Sequence, residues 1–218
     1  MIILGINDTH DASACILKNG EIISAIAEER CQRLKNIAGF PYFATKEVLK
    51  EANLKKNQID IVAVANINLT QTNLWSLNSN FQISDFIKLN RDYFYKWIYT
   101  KNRPKLIDIF PNYKPKGKYF YPLKKIPFIT SHESNKKINK NMNLLRLNYI
   151  SKFLKIDKSK IFFFDHHHCH SLYSYFFSKK RFNHCAIVTA DGGGDGKYDS
   201  VSIVKNNKFK TVSHSRTN

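Results

Sequence analysis

Four of the 8 histidines fall within five consecutive residues, at positions 166, 167, 168 and 170. Residues four apart share one face of a helix, so His166 and His170 can direct both imidazoles at a single cation. Two imidazoles alone are an incomplete site, and Asp191, expected at the end of another strand, supplies a carboxylate. The three side chains form a candidate metal site that accepts Fe, Zn, Mn or Ni. A histidine pair considered alone at this spacing is more often structural.

Three consecutive glycines, Gly192, Gly193 and Gly194, lie between Asp191 and Asp195. Successive glycines let backbone N–H groups surround a phosphate without obstruction by side chains. They are equally typical of a simple hairpin turn, and the segment matches neither the P-loop nor the dinucleotide-binding pattern. Both interpretations stay open, a nucleotide- or phosphate-binding loop or a turn.

A second polar segment, residues 7–14, contains His10 and Asp11 between two predicted strands. A tight turn needs only small or turn-forming residues, so a His-Asp pair is more than a turn requires. Histidine titrates near neutral pH, which makes His10 a candidate general base. The alternative is a solvated, inert loop histidine.

Alternating strands and helices are predicted around these segments, which defines an α/β protein. Asn19-Gly20 favours a type I′ hairpin turn, and Asp165 suits the N-cap of the helix that carries the histidines. The predicted strands cover residues 2–6, 12–17, 21–27, 59–65, 161–164, 186–190, 201–204 and 209–212, and the predicted helices cover residues 45–52, 86–99, 142–154 and about 166–177. A loop is expected at 191–196.

Composition indicates a globular chain: 218 residues are 43% hydrophobic and 24% charged. The net charge is 35 − 17 = +18, and residues 96–160 hold 17 Lys and Arg against three acidic residues. Such an excess attracts nucleic acid, membrane surfaces or small anions. Four widely spaced cysteines, no signal peptide and no run of roughly 18 apolar residues predict a reduced, cytoplasmic protein without a membrane partner.

Several motifs together resemble the nodulation-type and antibiotic-type O-carbamoyltransferases. Near the amino terminus these are the segments 5–14, 27–35 and 39–41, which include His10-Asp11-Ala12-Ser13, Glu28-Glu29-Arg30 and Gly39-Phe40-Pro41. Later in the chain, the histidine cluster after Asp165 and the strand that ends at 189–192 continue the resemblance. The likeness covers roughly residues 1–65 and 140–204.

This resemblance implies a ribonuclease H-like (actin-like ATPase) fold, with the first half complete and the second half truncated. Residues 1–182 would form the first subdomain, with a basic insertion at about 66–141, and residues 183–218 would begin the second. The second copy of the opening hairpin near His184 supports this division.

The resemblance also implies the reaction. Carbamoyl phosphate and ATP give carbamoyl-adenylate, whose carbamoyl group is transferred to a hydroxyl of a sugar or another small metabolite. His10 would be the catalytic base, and His166, His170 and Asp191 would hold a divalent metal, iron by resemblance. Asp11 and Lys35 are candidate substrate-binding residues.

Departures from the family pattern define the alternatives. His168 and Cys169 replace small apolar residues, and most of the family's second half, with its further carboxylate ligand and adenylate-forming domain, is expected beyond Asn218. The chain alone is therefore predicted to be inactive as a transferase unless a separate chain supplies the rest. An inactive fragment, a subunit of a split enzyme and a basic nucleic-acid-binding module are the alternatives, with nucleic acid the less favoured partner.

Overall fold

A computed structural model describes residues 1–69, 81–100, 104–114, 121 and 135–216, and it confirms the predicted α/β class. The chain divides into two compact units, residues 1–63 with 69–162 and residues 64–68 with 163–218. The subdomain boundary predicted at 182/183 stays a prediction.

The five-stranded sheet begins with three antiparallel strands, as the sequence predicts. Asn19 and Gly20 both have positive φ (54° and 89°), which a type I′ turn requires. The strands of this sheet are β1 (Ile2–Asn7), β2 (Ser13–Lys18), β3 (Glu21–Ala27), β4 (Ile61–Ala65) and β5 (Ile161–Phe164). Their spatial order is β3-β2-β1-β4-β5. Leu4, Ile6, Ala14 and Ile16 are buried at every second position, the period of a strand that faces a core.

Two helices follow β3, namely α1 (Glu28–Gln32) and α2 (Tyr42–Glu51). The N-cap residue of α2 is Pro41, which makes no side-chain cap. The buried carboxylate of Glu28 takes that role instead, because it accepts from Phe43 N at 3.2 Å and Ala44 N at 2.7 Å. A negative charge at a helix N-terminus is stabilising, so Glu28 fixes the start of α2.

The helix predicted at 86–99 is present as a longer helical run. It consists of α3 (Ile83–Lys88), a π-helical stretch (Leu89–Tyr95) and α4 (Lys96–Thr100). A short helix, α5 (Leu106–Ile109), follows. Most of the other irregular connections predicted within 66–141 lie outside the described residues.

The long helix α6 (Asn135–Leu154) begins earlier than the predicted Met142. Its buried side chains recur at every fourth position, namely Ile138, Met142, Arg146, Ile150 and Leu154. Ile138 extends the apolar stripe beyond the predicted start. Phe40, in the segment between α1 and α2, packs edge-on against Tyr149 (ring centroids 5.2 Å apart) and Phe153 (4.9 Å) of α6.

The second unit contains the histidine helix and an antiparallel sheet of order β6-β7-β8. These elements are α7 (His166–Phe176), β6 (His184–Gly194), β7 (Lys197–Lys205) and β8 (Lys208–His214). Asp165 is the N-cap of α7, as predicted, since its Oδ1 accepts from His168 N at 3.0 Å. The loop predicted at 191–196 is wrong in extent. A bulge between Ala190 and Gly194 lets β6 continue, and only Asp195-Gly196 forms the turn.

All four cysteines are free thiols. Within the part of the chain that the structure describes, no helix has the length and hydrophobicity to cross a membrane.

Candidate metal centre

His166, His170 and Asp191 converge, as their spacing and types predict. His170 Nε2 lies 3.0 Å from His166 Nε2 and 3.4 Å from Asp191 Oδ2, and His166 Nε2 is in close contact with the same carboxylate oxygen. One donor atom from each residue lies within 4.8 Å of the other two. Ligands about 2.0–2.1 Å from a common tetrahedral ion are roughly 3.4 Å apart. The His170–Asp191 separation matches this spacing, and the two contacts of His166 Nε2 are shorter.

Two elements supply these ligands. His166 and His170 occupy the first turns of α7, four residues apart on one face, while Asp191 projects from β6. The intervening histidines point elsewhere: His168 packs edge-on against Phe209 (5.8 Å), and His167 is buried. The helical spacing therefore selects two imidazoles out of four.

His167 ties the helix to the sheet. Its Nε2 lies 3.2 Å from the carbonyl oxygen of Lys197, and its Nδ1 lies 2.7 Å from Thr189 Oγ1. A carbonyl only accepts, so Nε2 donates and Nδ1 accepts from the Thr189 hydroxyl. This links α7 to the strand that carries Asp191.

Asp195, in the β6–β7 turn, holds the start of α7. Its carboxylate accepts from the backbone N–H groups of Ile67 (3.0 Å), Asn68 (2.5 Å) and His166 (2.7 Å). Charge-assisted hydrogen bonds of this kind are stronger than neutral ones. Asp195, in the β6–β7 hairpin, therefore binds both the segment that follows β4 and the first residue of α7, His166.

The electrostatics of the cluster favour a cation. Burial lowers the pKa of His170, and the neighbouring His166 adds to this effect. Burial opposes ionisation of Asp191, but hydrogen bonds from His166 and Gly192 N–H and the nearby imidazoles outweigh it and lower its pKa. A neutral imidazole beside an ionised carboxylate is the protonation state in which both groups ligate metals.

The predicted glycine segment lies beside this cluster. A Cβ on Gly194 would be 2.2–2.8 Å from atoms of the His166 side chain, whereas a Cβ on Gly192 would meet nothing within 4 Å. Gly193 has φ +134°. The close approach to His166 is sufficient to explain why residue 194 is a glycine, with no need for a bound phosphate. Phosphate binding by the three glycines 192–194 stays a prediction.

His10 and Asp11 form a pair of their own at the end of β1. His10 Nδ1 lies 2.9 Å from Asp11 Oδ2, and both side chains are exposed. Asn7 shapes the turn, because its Nδ2 donates to the carbonyls of His10 (3.0 Å) and Asp11 (3.2 Å). With Nδ1–H donated to a carboxylate, the Nε2 lone pair of His10 is available to accept a proton.

Lys35, the remaining candidate, is on the surface and pairs with Glu29 at 3.3 Å. The two residues line an open cavity of about 250 Å³ together with Arg30, Arg33 and Leu34. Three cations against one carboxylate make this cavity suited to an anion.

The sequence reasoning missed a buried ion pair beneath the His10 turn. Arg146 donates to both carboxylate oxygens of Asp8 at 2.8 Å, and Tyr121 OH donates to Asp8 Oδ2 at 2.6 Å. All three side chains are at most 1% exposed. The available signal was an arginine in the middle of the every-fourth-residue apolar stripe of α6. Burial and the adjacent Asp8 raise the pKa of Tyr121 well above its usual value, so Tyr121 remains a hydrogen-bond donor.

The fold and the site together define an α/β chain in which two histidines of one helix converge with an aspartate of a neighbouring strand. Residues 2–216 match the family described as Carbamoyltransferase N-terminus, and the chain belongs to that family. This confirms the family that the sequence motifs indicate.

Two relatives come from Methanocaldococcus jannaschii. The chain is 26% identical to the uncharacterized protein MJ1051 over 214 residues, which are 98% of this chain and 26% of that protein. It is 30% identical to the uncharacterized protein MJ1058 over 217 residues, which are 94% of this chain and 33% of that protein. The chain thus spans about a quarter to a third of the length of these relatives.

Proposed function

We propose that the chain is the amino-terminal part of a metal-dependent carbamoyltransferase that carbamoylates a hydroxyl of a sugar or another small metabolite. The carbamoyl group would come from carbamoyl phosphate and ATP through carbamoyl-adenylate. The observation that carries this proposal is the convergence of His166, His170 and Asp191 in a chain of this family. The strand order β3-β2-β1-β4-β5, with its antiparallel first hairpins, supports the ribonuclease H-like fold expected from the resemblance.

Each candidate residue has a task in such a transfer. His10 Nε2 accepts the proton of the acceptor hydroxyl, while Asp11 orients the ring and stabilises its protonated form. Lys35 and the neighbouring arginines attract an anionic substrate, and Gly193 offers its backbone N–H to a phosphate oxygen. A divalent cation, iron by resemblance, would offset phosphate charge when held by His166, His170 and Asp191.

The metal centre is tested by the affinity of the purified chain for Fe²⁺, Mn²⁺ and Zn²⁺, measured anaerobically by calorimetry. Three substitutions, His166→Ala, His170→Ala and Asp191→Ala, should each lower the affinity at least tenfold, since each removes one of the three ligands found among the described residues. His168→Ala is the matched control: it removes an imidazole from the same helix that packs against Phe209 instead. Equal binding by all four variants and the wild type would refute the centre.

Transfer itself is expected to need more polypeptide than these 218 residues, since the relatives are three to four times longer. We propose that the additional part of such relatives carries the rest of the nucleotide site, on the same chain or on a separate subunit. Product formation from carbamoyl phosphate, ATP and a panel of hydroxylated acceptors, with and without that additional polypeptide, tests this. Equal turnover in both reactions would disprove it.

A further inference from the structure

Asn66, directly after β4, is in contact with the first histidine of the cluster. Its amide Oδ1 lies 2.5 Å from His166 Nδ1, and the residue is only 4% exposed. Its backbone has φ +72°. Nothing in the local sequence pattern associates Asn66 with a histidine 100 residues away.

This contact determines which ring nitrogen of His166 is free. An amide oxygen only accepts hydrogen bonds, so Nδ1 carries the proton, and a neutral ring then has its lone pair on Nε2. Nε2 is the atom that faces Asp191 Oδ2 and His170 Nε2. We propose that Asn66 is a positioning residue that holds His166 in the Nδ1–H tautomer and presents Nε2 to the cation. This inference rests on the metal centre proposed above.

The ring is also confined on other sides. Gly194 packs against it closely enough that a Cβ there would overlap it, and the His166 backbone N–H is fixed by Asp195. Hydrogen bonds from ligating histidines to outer groups are a common device for setting tautomer and orientation, and their loss typically costs 10- to 100-fold in metal affinity.

A competing explanation is that asparagine occurs at position 66 only because the backbone there has a positive φ. Asparagine is enriched at positive φ, where most other residues are strained. Two substitutions separate the explanations. Asn66→Gly keeps the backbone conformation and removes the amide, whereas Asn66→Asp tolerates the same φ and keeps an acceptor for Nδ1–H.

The first measurement is Co²⁺ affinity of the chain, by calorimetry. We expect Asn66→Gly to lower it 10- to 100-fold and Asn66→Asp to stay within about threefold of wild type or bind more tightly. His168→Ala again serves as control. Wild-type affinity in Asn66→Gly would overturn the proposal, because the side chain would then be irrelevant to the cation.

The second measurement needs no metal. Because Asp191 Oδ2 also accepts from His166 Nε2, it is made on Asp191→Ala, which removes that competing acceptor. Two-bond ¹H–¹⁵N spectra of metal-free Asp191→Ala at alkaline pH should show His166 protonated at Nδ1, and adding Asn66→Gly should shift the proton population toward Nε2. An Asp191→Ala spectrum with the proton on Nε2 would overturn the inference whatever the metal affinity. The expected spectra without any cation binding would instead uphold the role of Asn66 and disprove the metal centre alone.

Discussion

At the scale of single residues, the most consequential side chains outside the metal centre are the buried charges of Asp8 and Arg146. Both are fully buried, and the guanidinium meets the carboxylate through two hydrogen bonds. Desolvation offsets much of the attraction in such a pair, so its net contribution to stability is small. Removing one partner is different, because it leaves an uncompensated charge in the core.

We therefore predict that Arg146→Met destabilises the chain by about 3–5 kcal/mol, the typical cost of breaking a buried pair. Asp8→Asn added to it should recover much of that loss, since the neutral amide can still accept from Tyr121. Urea unfolding followed by circular dichroism gives these free energies. The control is Lys152→Met, an exposed position of the same helix, expected within about 0.5 kcal/mol of wild type. A loss below about 1 kcal/mol in Arg146→Met would contradict the buried-pair argument.

The candidate metal ligands were predictable from sequence because two of them obey a local rule. His166 and His170 share a helix face through their spacing, and Asp191 has the right chemistry beside a glycine run. Asn66 and Asp195 were not predictable. Their roles depend on contacts to His166 across 100 and 29 residues, which no local periodicity encodes.

At the scale of elements, the β6–β7 hairpin was only partly predicted. Its glycines indicate a turn or a phosphate loop, yet the strand continues through them by means of a bulge. The strands β1 to β3 were predicted closely, because alternating burial and the Asn19-Gly20 turn are local signals. The early start of α6 was missed, since its polar first turns before Met142 carry one buried apolar residue, Ile138.

The hairpin makes a sharp prediction about two neighbouring glycines. Gly194→Ala should destabilise the chain by about 1–3 kcal/mol, the range for overpacking, and should weaken metal binding at least tenfold by displacing His166. Gly192→Ala adds the same methyl group to open space and should change unfolding free energy by less than about 0.5 kcal/mol. Thermal denaturation and Co²⁺ calorimetry of both variants check this. If the two alanines behaved alike, contact between Gly194 and His166 would not be the reason for that glycine.

For the whole molecule, the net charge of +18 is not explained by the candidate metal centre. Aromatic and basic residues interleave at 91–99, as they do on surfaces that stack nucleobases. The structure buries Tyr93, pairs Arg91 with Asp92, and leaves Tyr95 and Tyr99 exposed with their rings 4.7 Å apart. Two exposed rings tilted against each other, in a helix whose Arg91 is paired with Asp92, make a poor platform for bases. The basic excess is better explained by electrostatic attraction to anions than by a stacking surface.

Electrostatic attraction without base stacking predicts a steep salt dependence of nucleic-acid binding. Binding of a fluorescent oligo(dT) should be measurable at low salt and should weaken by about 10³-fold or more between 50 and 200 mM salt, as expected when several phosphates are neutralised. Substituting both Tyr95→Ala and Tyr99→Ala should leave the affinity within about twofold, since each stacked base would otherwise contribute about 1–3 kcal/mol. Fluorescence anisotropy at four salt concentrations measures both effects. Shallow salt dependence together with loss of binding in the tyrosine variant would instead identify the helical run 83–100 as a nucleic-acid-binding surface, because stacking, unlike phosphate contacts, releases no counterions.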